Sequence, residues 1–294
     1  MDTKIATPII TIGLPAYNGE KTIKRTIDSI LSQTVKNFKL IISDDGSTDS
    51  TPKICREYAQ KDTRIEYVEK HEPHGWIWNF ISLIDKANTK YFVWIANDDY
   101  WDPCFLEKNI GVLETNSKIV ASISDIKLIG SNIKNYYSDQ KKINPKHLHS
   151  KFEFVRPVSG TYDEKIKKIL EFNWILNFYS VFRTNELKKS IIHEAFVNWD
   201  FALMLNIIKF GDLHVLDEVL AYRDTEGATS KKSFISVLKS QKLGWFKTYF
   251  PYIPFSIWCL KNLGFRIFIK YNKHFRYLNF HTAKKIFFEL INKP

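Results

Sequence analysis

The chain is expected to be an α/β protein, a parallel sheet wound with helices on both sides and followed by a basic helical appendage. Three observations lead there. Short β-branched or aromatic runs alternate four times with segments of helical periodicity, the pattern of strands joined by helical crossovers. At 294 residues and 44% hydrophobic, the chain has enough apolar surface for a full core. The fourth run, Tyr91-Phe92-Val93-Trp94-Ile95, ends abruptly in Asp98-Asp99, and open α/β sheets bind ligands at such strand ends.

The elements follow in order. Pro8 to Leu14 is a strand by β-branching, and Pro15-Ala16-Tyr17-Asn18-Gly19-Glu20 ends it with turn residues. Ile23, Ile27, Ile30 and Leu31 recur at helical spacing to about Gln33. Phe38 to Ser43 is the second strand, running into Asp44-Asp45-Gly46-Ser47-Thr48-Asp49-Ser50, with Pro52 suited to the first turn of a helix that lasts to about Gln60. Ile65 to Glu69 is the third strand, and Trp76 to Ala87 the helix that returns the chain to the fourth. Pro103 opens a helix to about Thr115. Ile119 to Ile123 and Ile126 to Ile129 read as two strands separated by Ser124-Asp125. The polar, Lys-rich stretch from Ser131 to Gly160 reads as an acceptor-side flap. Asp163 to Phe172 is a helix, Trp174 to Phe182 a strand-like run, and Asn185 the cap of a further short helix.

Loops leaving parallel strand ends share one edge, so Tyr17, Asp44 and Asp98 are expected in one crevice. A tyrosine ring stacks on a nucleobase, a carboxylate accepts a base N–H, and a second carboxylate takes a ribose hydroxyl or a metal. Adjacent acids raise each other's proton affinity, and keeping both ionised calls for a cation; oxygen-only ligands suit Mg²⁺ or Mn²⁺. The same acids also read as a turn that caps the helix after Pro103, and Asp44 or Asp49 as helix caps. His71, His74, His147 and His149 have no third ligand nearby and read as loop histidines.

Four motifs arrive in order over roughly the first 120 residues: Ile10 to Asn18, Ser29-Ile30-Leu31-Ser32-Gln33-Thr34, Ile41 to Asp49, and Asp98-Asp99 before Pro103. Together they closely resemble the family 2 glycosyltransferases. The resemblance implies a GT-A fold and transfer, with inversion, of a hexosyl or N-acetylhexosaminyl group from a nucleotide-diphospho-sugar. From the resemblance a uridine nucleotide is the default expectation, with thymidine and guanosine donors open. Pro15 and Tyr17 would line the base pocket, Asp44 would bond the base, Asp98 would lie against ribose and metal, and Asp99 would be the direct ligand of Mn²⁺ or Mg²⁺. Many members carry another acid where Ala96 stands.

Asp200 fronts an otherwise apolar helix in Phe196 to Leu205, where it suits either an N-terminal cap or a general base. The family's base stands at this point, about a hundred residues after the paired acids, so the resemblance implies catalysis by Asp200. Trp199 replaces a common neighbouring acid, and its indole suits stacking on an acceptor sugar. Arg223 suits a phosphate or a carboxylate, while Thr225 occupies the place of a histidine often found two residues after this arginine.

Charge divides the chain. Of a net +11, residues from Ala228 onward carry 13 Lys/Arg against the single acid Glu289, and the preceding 227 carry 30 bases against 31 acids. A GT-A domain over 1–227 is expected, with a nucleotide-sugar half at 1–125 and an acceptor half at 126–227, and an aromatic, basic appendage over 228–294. The appendage reads either as a face for a membrane surface through 231–294 or as a segment packed back on the domain. No nucleic-acid module is present in the pattern. Cys55, Cys104 and Cys259 lie far apart and fit a reducing compartment, and no signal-like or membrane-spanning apolar run occurs, so a cytoplasmic location, peripheral on the inner membrane face, is expected. The function these features indicate is sugar addition to a glycan or lipid-linked glycan acceptor in surface polysaccharide synthesis. The alternative is a non-catalytic nucleotide-sugar or polyanion binding module. A dinucleotide-dependent oxidoreductase is disfavoured, since no G-x-G-x-x-G follows the first strand.

Overall fold

The computed structural model describes residues 7–131, 133, 154–171, 176–226 and 233–291. Strands β1 (Ile10–Ala16), β2 (Phe38–Asp44), β3 (Ile65–Glu69) and β4 (Tyr91–Trp94) are parallel, joined by α1 (Ile23–Leu31), α2 (Thr51–Lys61) and α3 (Trp76–Asp85). The chain winds outward from β1 to β3 and then returns to pair β4 with the other side of β1, which places the topological switch between β1 and β4. Alternation along β4 explains why helices cover both faces. Tyr91 and Val93 enter one hydrophobic cluster and Phe92 and Trp94 the other, all four without solvent exposure. Gly13 of β1 makes room for this: a Cβ there would lie 2.8 Å from the ring of Phe92.

Beyond β4 the sheet becomes mixed. Strand β5 (Tyr100–Trp101) and helix α4 (Phe105–Thr115) lead to β6 (Ile119–Ile129). Where two strands were expected, β6 is a single strand with register shifts at Ser124 and Asp125. The polar pair marks an irregularity bridged by its own side chains: Ser124 Oγ donates to the Asp125 carbonyl and accepts from the Leu220 N–H. After α5 (Tyr162–Glu171), the expected strand-like run holds a 3₁₀ turn, Leu176–Tyr179, and only then the short β7 (Val181–Arg183). The buried Asn177 side chain accepts from the Arg156 N–H and donates to the Arg156 carbonyl, which holds the turn. Helix α6 (Thr184–Ser190) begins one residue before the expected cap Asn185, because the Thr184 N–H bonds the Lys90 carbonyl and ends β7 there. Helix α7 (Trp199–Ile207) and β8 (Asp212–Asp224) complete the sheet, whose order is β3-β2-β1-β4-β7-β6-β8-β5 among the described residues. Most of the expected flap, with His147 and His149, lies outside the described residues.

The C-terminal segment forms α8 (Phe234–Ser240), α9 (Gly244–Tyr249), α10 (Tyr252–Leu263), α11 (Phe265–Lys270) and α12 (Asn272–Ile291). Phe255, Trp258, Cys259, Leu263 and Phe275 join the same hydrophobic cluster as Trp94 and Trp199, so α10 and the start of α12 share the core of the sheet domain, while Ile235 and Leu238 of α8 pack with Ile286 in a separate cluster. Phe255 meets Phe201 of α7 edge-on at 5.8 Å. Other aromatics of the segment face solvent, among them Trp245, Phe265 and Phe280.

Gly75 joins the two parts of the chain. It has φ 97° and ψ 150°, a region essentially restricted to glycine, and a Cβ there would lie 2.7 Å from the Gln241 carbonyl oxygen. Gly75→Ala is expected to lower stability by about 1–3 kcal/mol in urea denaturation. Gly111→Ala, in an open position of α4, should instead add about 0.5–1 kcal/mol.

Candidate active site

The site starts from two loops fastened to each other at the ends of β1 and β2. Asn18, at φ 47°, accepts the Thr48 N–H through Oδ1 at 2.8 Å, and its own N–H donates to Ser47 Oγ at 2.9 Å. Gly19 N–H donates to Thr51 Oγ1, and Asp49 accepts from Glu20 N–H and Thr51 N–H. Burial pushes the Asp49 carboxyl up, and the hydrogen bonds from Thr51 and Glu20 more than offset it, leaving it below the usual range. Asp49 is thus a fastener of this crevice. Pro15 lies beside Ser43 in the β1–β2 register, and Tyr17 follows β1 with its ring 40% exposed, open to a planar partner.

Asp44, at the end of β2, has no exposure. It accepts from Ser47 N–H at 2.9 Å, from Ser47 Oγ at 2.6 Å and from the Tyr67 hydroxyl at 2.9 Å. A carboxylate has about four acceptor positions; these three bonds fill most of them and the lack of exposure closes the rest, so in this arrangement Asp44 holds its loop and the expected bond to a base N–H is not open to it. Its neighbour Asp45 holds the next loop, accepting from the backbone N–H groups of His74 and Gly75 at 3.0 and 2.9 Å, with Lys70 Nζ 3.6 Å away. Neither Tyr67 nor Asp45 was singled out by the sequence. The Asp-Asp-Gly run offered a turn signal but named no distant partner.

At the end of β4 stand Asp98 and Asp99. The Asp99 main-chain carbonyl accepts from Thr26 Oγ1 at 2.7 Å and that of Asp98 from Arg25 at 2.5 Å, tying the acidic turn to α1. Arg25 also pairs with Asp224 at 2.8 Å, and Asp99 Oδ1 accepts the Asp224 N–H at 3.0 Å. Arg223 Nη1 lies 3.7 Å from Asp99 Oδ2, with its guanidinium over the Tyr179 ring at 5.0 Å. The acidic turn after β4 is therefore gathered with residues of α1 and the end of β8. Burial pushes the Asp99 carboxyl up to about 7, with Arg223 pulling it down and Asp98 pushing it further up. Asp98 is raised in the same direction, first by burial. Arg25 and Asp224 are the members that sequence reasoning missed; Asp224 stands next to Arg223, but their partners lie far away in the chain.

Asp200 lies in the first turn of α7, half-buried, accepting the Phe201 N–H at 2.9 Å. Burial raises its proton affinity, and Arg223 works in the opposite sense, which relates it electrostatically to the acid cluster. Trp199 must be corrected. Its indole has no solvent exposure, and its Nε1 donates to the Ile192 carbonyl at 2.7 Å, so the ring is a core element with no face for an acceptor sugar. Thr225 bonds the Ile129 carbonyl through both its N–H and its hydroxyl. His214 lies against Ser122 at 3.3 Å, within the sheet.

The family model described as glycosyl transferase family 2 matches residues 11–178, and the chain belongs to that family. It is 27% identical over 242 residues to the putative teichuronic acid biosynthesis glycosyltransferase TuaG of Bacillus subtilis, covering 81% of this chain and 86% of TuaG. It is 27% identical over 186 residues to the glycosyltransferase GlyA of Streptococcus pneumoniae, covering 63% of this chain but spanning only 23% of GlyA. Two solved structures share the GT-A fold. TarS residues 1–349 of S. aureus in complex with UDP-GlcNAc superposes with a TM-score of 0.60 at 17% identity, covering 85% of this chain and 66% of that one. The mannosyltransferase PcManGT of Pyrobaculum calidifontis, in complex with GDP-Man and Mn²⁺, has a TM-score of 0.58 at 14% identity over 95% of this chain and 73% of that one.

Asp45 is expected to be structural. Asp45→Ala leaves two loop N–H groups without their acceptor and should lower stability by about 1–3 kcal/mol in urea denaturation, with Asp45→Asn recovering part of the loss.

Proposed function

We propose that the chain transfers a hexosyl or N-acetylhexosaminyl group from a UDP-linked donor to a glycan hydroxyl during surface polysaccharide synthesis, inverting the anomeric centre. The observation that carries this reading is the Asp98–Asp99 pair at the switch between β1 and β4, gathered with Arg25, Arg223 and Asp224. The name of TuaG supports the polysaccharide role, and the bound UDP-GlcNAc in TarS supports the donor class.

Tyr17 and Pro15 take the base, Asp44 holds the loop beside them through Ser47, and Asp98 meets the ribose. Two adjacent acids, both raised by burial and Asp99 further by Asp98, suit a divalent cation held by carboxylates and substrate phosphates, since Mg²⁺-type sites use one or two carboxylates with phosphate oxygens. Asp99, with Asp98 beside it, would hold Mn²⁺ or Mg²⁺, which would supply charge neutralisation at the diphosphate. Asp99 now faces Arg223, so ligation would exchange that contact for the cation and free Arg223 towards a phosphate.

Asp200 acts on the acceptor. Its carboxylate takes the hydroxyl proton as the acceptor oxygen bonds the anomeric carbon, and the bond to the diphosphate breaks with its electron pair leaving on the nucleotide. Attack from the face opposite the leaving group inverts the centre. A base of raised proton affinity suits this work near neutral pH. The exposed Trp245, Phe265 and Phe280 among lysines and arginines favour a peripheral seat on an anionic membrane face, and no helix among the described residues is long and apolar enough to cross a membrane.

Asp200→Asn should lower kcat for sugar transfer by about 10²–10⁴-fold while keeping the nucleotide-induced rise in melting temperature. Unchanged turnover would remove Asp200 from the role. Because the base works deprotonated and burial raises its proton affinity, the acid limb of the wild-type pH–rate profile should lie above the ordinary aspartate value of about 3.9.

A further inference from the structure

Tyr179 closes the 3₁₀ turn Leu176–Tyr179, which the buried Asn177 side chain fastens to the N–H and carbonyl of Arg156. Packing fixes the turn a second time. Phe178 stacks on Trp94 with ring centroids 4.7 Å apart and planes at 9°, and the Tyr179 ring meets Phe178 edge-on at 5.3 Å. Trp94 is the last residue of β4, so the turn is seated on the strand that delivers Asp98 and Asp99. Tyr179 itself is half-buried and packs against both hydrophobic clusters of the sheet, which leaves its ring little freedom.

This rigid ring faces charge. The Arg223 guanidinium lies over it, 5.0 Å from the centroid, and the Tyr179 hydroxyl accepts a hydrogen bond from Arg223. Burial raises the proton affinity of that hydroxyl, Arg223 opposes the rise, and Asp99 and Asp98 add to it, so it stays protonated beside all three charges. Tyr179, Arg223 and Asp99 line one cleft of about 20 Å³, room for about one water molecule, so these side chains pack on one another. Arg223 therefore has two kinds of neighbour. Asp99 Oδ2, 3.7 Å from Nη1, is a partner that a cation would take over, whereas Tyr179 is neutral, held by packing, and stays in place. An arginine released from its only anchor would regain rotamer freedom, and a phosphate contact would have to remove it again.

We propose that Tyr179 is a positioning residue that keeps the Arg223 guanidinium directed at the donor diphosphate once Asp99 has turned to the cation. The ring supports the flat face of the guanidinium and the hydroxyl holds its edge, so it keeps one orientation through the exchange. The phosphate contact belongs to Arg223, and Tyr179 acts through it. The inference rests on the glycosyl-transfer reading and deepens its donor site.

The test is calorimetric titration with UDP in the presence of Mn²⁺, arranged as a double-mutant cycle of Tyr179→Phe and Arg223→Ala, with Tyr179→Leu measured on both backgrounds. Tyr179→Phe keeps the ring and loses the hydroxyl, and UDP affinity should fall at least about threefold. Tyr179→Leu loses the ring as well, and the fall should reach at least about tenfold. With Arg223 already replaced by alanine, each change should cost less than about twofold, since the group that Tyr179 positions is gone. A tyrosine that only filled space would cost the same factor on both backgrounds. Equal UDP affinity of the wild type and Tyr179→Phe, or an equal loss with and without Arg223, would overturn the proposal, and the near-isosteric phenylalanine decides it even if Tyr179→Leu does not fold. A wild type that fails to bind UDP rejects the donor reading and this proposal together; wild-type binding unmoved by Tyr179→Phe rejects the assignment of Tyr179 alone.

Discussion

A buried carboxylate at the end of a wholly apolar strand is the constraint around which this molecule is arranged. Asp99 stands 8% exposed, and a charge in that position is costly unless it is hydrogen-bonded and paired. Its partners arrive from β8: the Asp224 N–H at 3.0 Å and the Arg223 guanidinium at 3.7 Å. Arg25 of α1 then closes the cluster through Asp224 and the Asp98 carbonyl. The mixed half of the sheet thereby carries out an electrostatic task for the parallel half. Without β8 beside β5, the acids at the switch point would be buried without support.

Hydrophobic alternation makes this placement rigid. Because β4 sends Phe92 and Trp94 to one cluster and Tyr91 and Val93 to the other, a shift of one residue would exchange both sets, and the register of the acidic turn is strongly specified. The C-terminal helices extend one of those clusters, with Phe255 against Phe201 and Phe275 near Phe255. Packing at the front of α7 therefore connects Asp200 to a segment whose composition is otherwise basic and aromatic.

The parallel half of the fold was legible because each element there announces itself locally. Ile65–Glu69 appears as the sequence placed it, and the other early strands and helices differ by about two residues at their ends. The candidate acids were legible through their position after strands and through the family motifs. What stayed hidden depended on partners distant in the chain: Tyr67 on Asp44, Arg25 on Asp224, Asp45 on the His74–Gly75 loop. Residue type cannot announce a partner 199 positions away, as Arg25 and Asp224 are. The strand-like run before β7 was misread because an apolar stretch of that length is compatible with either a turn or a strand, and the buried Asn177 side chain decides between them. Trp199 was misread for a related reason. Standing next to an acid at a helix front, it has no periodicity to tell which way its indole points, and α7 is apolar almost all round.

The central claim is that the crevice built by Asp98, Asp99 and their β8 partners binds a nucleoside diphosphate with a divalent cation. The direct measurement is a thermal-shift panel of UDP, GDP and TDP, each with and without Mn²⁺, on the wild type and on Asp99→Ala. The account predicts that UDP raises the melting temperature, that Mn²⁺ enlarges the rise, and that Asp99→Ala abolishes the Mn²⁺-dependent part; at a nucleotide concentration 100 times Kd the stabilisation would be about 2.7 kcal/mol. A panel in which no nucleotide shifts the wild type, with or without metal, would contradict it.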